Sequence, residues 1–200
     1  SLLFHGITDA TMARTEGWQF IQMGKHLERA DKTSRFLDIR VHSAQSGNSL
    51  DSIQWASILR SASAFGTYRQ EVGGEPIAEG VIDLLVFSTV FPRSIRYCVQ
   101  CIDINLHAIS GSAPGTYSNA AERLAGRLVA TLNFGGSSEV LDRGMQDYMD
   151  DVQQVLNNIG QHIFETYVLL PQDAQSVTFV PSTEPQQLRW KELQEQQQQQ

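Results

Sequence analysis

Residues 24–38 read GKHLERADKTSRFLD and place seven charged side chains and one histidine in fifteen positions. Glu28 and Asp31 are of the type that exchanges protons. Arg35, with Arg93 and Arg96 further along, is of the type that clamps an anionic substrate. Asp31 and Arg35 are four residues apart and can pair, and Glu28 reaches Lys32 in the same way. Glu28 and its neighbour Arg29 diverge by about 100° on a helix, so they cannot neutralise each other and must serve separate contacts. Two readings stay open: ion pairs that fix the register between helices, or a site for a ligand or partner.

A second cluster is FPRSIRYC, residues 91–98. Pro92 is expected to open a helix whose free N–H groups favour anions. Arg93 and Arg96 then fall in the first turn, where the helix dipole opposes a cation. Their placement calls for a carboxylate or phosphate nearby, either a ligand's or another helix's Asp or Glu. A third cluster, Tyr68–Arg69–Gln70–Glu71, ends a helix, where Arg69 is suited to satisfying terminal carbonyls.

Other chemistries lack their residues. No Glu-x-x-His occurs, which argues against a di-iron carboxylate bundle, and there is no P-loop, G-x-G-x-x-G or G-x-S-x-G. His5, His26, His42, His107 and His162 are scattered without ligand spacing, so no metal, no cofactor and no triad is expected. Cys98 and Cys101, the only cysteines, read as core thiols in a reducing cytoplasm. The net charge is -7. It lies wholly in residues 101–200, where five Lys/Arg face twelve Asp/Glu, against ten and ten in residues 1–100. That balance argues against nucleic acid. The richest apolar run, VIDLLVFSTVF, is too short to span a membrane.

The elements that must position these residues are helices. Apolar residues recur at three- and four-residue spacing almost throughout, and strand signals are nearly absent. Helices are expected over about residues 15–41, from Asp51 to the Gly73–Gly74 pair, from Pro76 to 87, from Pro92 to 109, from a Ser118 N-cap to Gly135, and over 137–170. That makes an all-α bundle of about six helices closed by one long C-terminal helix. In the first of these, Phe20, Met23, Leu27, Ala30, Ser34 and Leu37 form an apolar stripe. Gly24, Glu28, Asp31, Arg35 and Asp38 form a charged stripe beside it, and Trp18 and Phe36 lie near the back. The charged stripe is therefore expected to be partly enclosed. Residues 1–170 read as one helical domain, and 171–200, Gln-rich and without period, as a mobile low-complexity tail.

The run DATMARTEGWQFI (residues 9–21), the charged stretch after it, and SAFGTYR, FPRSIRYC and AAERLAGRL in that order resemble the bacterial Alpha-E family over most of residues 1–168. The resemblance implies an all-helical domain with a Glu-Arg motif, of which this chain looks like the C-terminal portion. It maps the family's motif positions onto Asp9, Thr11, Arg14, Trp18, Glu28, Arg29, Asp31, Arg35, Arg93, Ser94 and Arg96. It also implies company: a circularly permuted ATP-grasp protein, and the N-terminal part of the protein itself. The expected function is a non-catalytic, cytoplasmic accessory component in amide- or peptide-bond formation, which binds the ligase or positions its substrate through a charged groove between helices. An enzyme acting on an anionic amino acid or peptide, and a purely structural bundle, are the alternatives.

Overall fold

The computed structural model describes residues 2–44 and 52–169. All regular structure there is helical: α1 (Leu2–Thr11), α2 (Glu16–Ala44), α3 (Ser52–Ser61), α4 (Phe65–Glu71), α5 (Ala78–Ile82), a π-helical turn (Asp83–Phe87), α6 (Ile95–Ser110), α7 (Ala120–Phe134), α8 (Ser137–Arg143) and α9 (Met145–Tyr167). The four long helices pack in a ring, α2 on α6, α6 on α7, α7 on α9 and α9 back on α2. Met23, Ala30 and Leu37 of α2 meet Ile95, Ile102 and Leu106 of α6, Leu132 of α7 and Met149 and Ile159 of α9 in one core, each at most 2% exposed. Removing that apolar surface from water is the main force holding the ring together. No described helix is long and apolar enough to cross a membrane.

The expected apolar stripe of α2 is the buried one, with Ser34 fully covered and Phe20 and Leu27 packed at its margin. Several expected boundaries are wrong, each for a local reason. The helix assigned from Asp51 to Gly73 is two helices. Ser63 adopts a left-handed φ of 56° between Ala62 and Ala64, both fully buried, so the chain turns there to bury two small side chains instead of continuing. The Asp51 N-cap lies outside the described residues. Neither Pro76 nor Pro92 is a first helical residue. The helices begin at Ala78 and Ile95, and the first of them loosens into the π-turn at Asp83. Asn119 caps α7 instead of Ser118.

The long last helix is also interrupted. Gly144 has φ 96° and ψ 129°, a conformation essentially reserved for glycine, and it separates α8 from α9. That leaves α9 with 23 residues, about 35 Å, in place of the longer rod. The tail expected over 171–200 lies outside the described residues. Gly144→Ala is expected to lower stability by roughly 1–3 kcal/mol, measured as a fall in the urea unfolding midpoint. An unchanged midpoint would mean that the α8–α9 bend accepts a Cβ.

Candidate functional site

Because α2 packs against α6 on one flank and α9 on the other, its polar residues are divided between two environments. Glu28 and Asp31 lie on the α9 side, lining a groove of about 300 Å³ with Gly24, Leu27, Leu156, Asn157 and Gly160. Gly160 lets the helices come close here. A Cβ on Gly160 would lie 3.1 Å from Leu27 Cδ2. Lys32 Nζ reaches Glu28 Oε1 at 2.5 Å and Arg35 Nε reaches Asp31 Oδ2 at 2.8 Å, the i, i+4 pairs expected from the sequence. The stripe is more open than its aromatic neighbours suggested, since the Glu28 side chain is 60% exposed. Trp18 and Phe36 are only partly covered, so they do not wall it in. The Oδ1 atom of Asp31 is buried without a hydrogen-bond donor.

The α6 side of α2 carries polar residues that the sequence reading passed over. His26 and Thr33 are buried there, seven apart, with Arg29 half-buried between them. Thr33 Oγ1 donates to the Arg93 carbonyl at 2.8 Å, tying α2 to the turn before α6. The His26 ring tilts against Tyr97 with centroids 5.9 Å apart. Arg29 contributes positive potential at His26, Tyr97, Cys98 and Cys101, and Arg93 does so at Cys98. Neither arginine makes a side-chain hydrogen bond or ion pair among the described residues. The anion that their placement calls for is therefore not supplied by a described Asp or Glu. Burial pushes the Cys98 thiol up to about 12 despite these cations, so it is a core group and not a nucleophile.

The remaining sequence candidates lie elsewhere. Asp9 Oδ1 accepts a 2.8 Å hydrogen bond from Gln22, Lys25 Nζ sits 3.5 Å from its Oδ2, and Arg14 donates to its carbonyl at 2.8 Å. Arg14 also lies 4.2 Å above the Trp18 ring, and together these contacts hold α1 on the start of α2. The Gln22 hydrogen bond leads in holding the Asp9 carboxyl below its usual range. Ser94 is fully buried and is the N-cap of α6: it accepts from the Tyr97 amide at 3.0 Å and donates to the Ser88 carbonyl at 2.5 Å. The cap shifts the helix start to Ile95, so Arg93 lies before the helix and not in its first turn. Arg96 turns to α7, donating to Asn133 Oδ1 at 2.9 Å and to the Phe87 carbonyl at 3.3 Å. The nine candidates thus fall into separate groups. Arg93 and Arg96 do not line the groove that holds Glu28 and Asp31.

A cluster missed from the sequence joins α6 to the start of α7. Glu122 is 1% exposed, and its carboxylate accepts from Ser112 Oγ, Ser118 N, Ser118 Oγ and Asn119 Nδ2 at 2.6–2.9 Å. Burial alone would raise its pKa. Hydrogen bonds from the hydroxyls of Ser110, Ser118 and Ser112 and from the Ser118 amide outweigh that and hold it at about 2. His107 lies alongside, with Nδ1 2.7 Å from Ser112 Oγ and 3.9 Å from Glu122 Oε2, and with Nε2 3.6 Å from Asp103 Oδ1. Two local signals were present: Asp103 and His107 are four apart on one helix, and Asn119-x-x-Glu122 is a capping-box spacing. No three His, Cys, Asp or Glu among the described residues are grouped to hold a metal ion.

A family described as a predicted alpha-helical domain with a conserved ER motif, Alpha-E, matches residues 1–168. The chain belongs to the Alpha-E family. No curated protein and no solved structure matches it. Two Glu-Arg steps occur in this Alpha-E chain, at 28–29 and 122–123, and each lies at one of the clusters described above. In both, adjacent side chains part company: Glu28 enters the α9 groove while Arg29 faces α6, and Glu122 is buried while Arg123 is exposed.

His26 is expected to make the Alpha-E bundle acid-sensitive. Burial, reinforced by Lys25 and Arg29, lowers its pKa from 6.5 to about 4. The unfolded chain therefore takes up the proton first, and stability is lost as pH falls from about 6.5 to 4. His26→Gln removes that titration. The stability difference between the variant and the unaltered protein should shift in the variant's favour on going from pH 7 to pH 4.5, read by urea unfolding. A difference independent of pH would contradict the burial of a neutral imidazole.

Proposed function

We propose that this Alpha-E chain is a non-catalytic helical component that works with an ATP-grasp ligase in amide- or peptide-bond formation, in the bacterial cytoplasm. It docks the ligase, or presents the ligase's substrate, through the charged surface on either side of α2. The observation that carries this reading is the pair Arg29 and Arg93, half-buried cations with no anionic partner among the described residues. Partly desolvated charge without a counter-charge is unfavourable for folding, so an external carboxylate or phosphate is the natural partner. The α2–α9 groove adds a second element, because Glu28 and Asp31 line it. The choice of an ATP-grasp protein rests on the family resemblance.

Binding of the purified ATP-grasp protein to the full-length Alpha-E protein tests this directly. Arg29→Met and Arg93→Met keep the aliphatic stem and remove the charge, and each is expected to weaken the complex by about tenfold or more. Glu28→Ala is expected to weaken it less, since Glu28 is exposed and paired with Lys32. Circular dichroism spectra should be unchanged. Folded arginine variants that bind the ligase and support its ATP turnover as well as the unaltered protein would sink the proposal.

A further inference from the structure

A cavity of about 560 Å³ lies between α6 and α7, within the range usual for small-molecule sites. It is lined on the α6 side by Asp103 and His107, on the α7 side by Glu122, Arg123 and Arg127, and at its rim by the exposed Tyr117. Its charged groups balance in kind: two carboxylates and two guanidiniums. They do not use each other. Neither arginine forms a side-chain hydrogen bond or ion pair among the described residues, although two acids share the same cavity. In a simple ion-paired seam they would close on each other across the gap.

The two acids are not equivalent. Glu122 has its lone pairs taken by four donors and serves to organise the α6–α7 connection. Among the described residues, Asp103 Oδ1 is buried 3.6 Å from His107 Nε2, while its Oδ2 makes no hydrogen bond. It keeps 22% of its side chain exposed while lining the cavity. Asp103 is thus the acceptor left for a ligand. On the opposite wall, Arg123 and Arg127 are one helical turn apart and face the cavity together. Between them in sequence stands Gly126, where an added Cβ would lie 3.8 Å from Asp103 Oδ1, so α7 packs closely on that oxygen and leaves Oδ2 as the one turned to the cavity.

A ligand of one charge sign would meet attraction from one wall and repulsion from the other. A ligand carrying both signs satisfies both. We propose that the α6–α7 cavity binds a small zwitterion, an amino acid or short peptide, with its carboxylate on Arg123 and Arg127 and its ammonium on Asp103. This site lies apart from the α2 arginines and stands or falls independently of ligase docking.

Isothermal titration calorimetry with the full-length protein tests the site, using L-alanine and L-alanyl-L-alanine as probes. N-acetyl-L-alanyl-L-alanine, which lacks the ammonium, and L-alanyl-L-alaninamide, which lacks the carboxylate, serve as capped counterparts. At least one zwitterion is expected to bind saturably, and each capped form to bind about tenfold weaker or less. Arg127→Gln, Arg123→Gln and Asp103→Asn should each cost about the same factor. The arginines are exposed and the Asn substitution is isosteric, so the urea midpoint serves as the fold control. Absence of saturable binding by both zwitterions, equal binding of the capped forms, or unaltered binding by the three folded variants would overturn the proposal.

Discussion

Helix α2 must satisfy two long neighbours at once, and the rest of the bundle depends on how it does so. Its apolar stripe, with Met23, Ala30 and Leu37, is committed to the core. The polar residues that remain fall on the two margins of that stripe, one against α6 and one against α9. On the α9 margin the charges are exposed and matched along the helix, Glu28 with Lys32 and Asp31 with Arg35. Exposed pairs of that kind contribute little and do not dictate a fold. On the α6 margin the polar groups are covered, and Arg29 is held there without an anion from any described residue. Its field, together with Lys25, reinforces the depression of the His26 pKa that burial begins. The most consequential charge on α2 is therefore the one that no neighbour compensates.

The junction of α6 and α7 solves a related problem in the opposite way. Glu122 is more deeply covered than Arg29, yet every lone pair has a donor. A buried anion so treated is a structural fastener: it stays ionised and holds the loop from Ser110 to Asn119 against the helix start. The contrast supplies a criterion for where binding is to be sought. Saturated charges hold the fold; Arg29, Arg93, Arg123, Arg127 and Asp103 have capacity left over.

Much of this was legible in the sequence, and the failures have physical causes. The helical class and the apolar stripe of α2 follow from periodicity, which burial enforces along a whole helix. The divergence of Glu28 and Arg29 was also readable, because it depends only on 100° per residue. Helix boundaries were misjudged at Ser63, Ser94 and Gly144, where a single side-chain cap or a positive φ overrides a continuous apolar pattern. Arg93 and Arg96 stand apart from Glu28 and Asp31, whereas an active site built on all four would need them together; the Ser94 cap moves the start of α6, and Arg96 turns toward Asn133 on α7. The α6–α7 cluster was invisible for another reason. It joins Asp103 and His107 to Glu122 through a loop of serines, and the packing that brings them together is tertiary.

On the proposed function, Arg29 is retained at a cost to stability, because its anion comes from outside the bundle. Urea unfolding of Arg29→Met at pH 7 tests it most directly. If the cation has no internal partner, methionine fills the same seam without the charge, and the variant should be as stable as the unaltered protein or more so. A loss greater than about 1 kcal/mol would mean that Arg29 is compensated within the fold, and the account would be wrong.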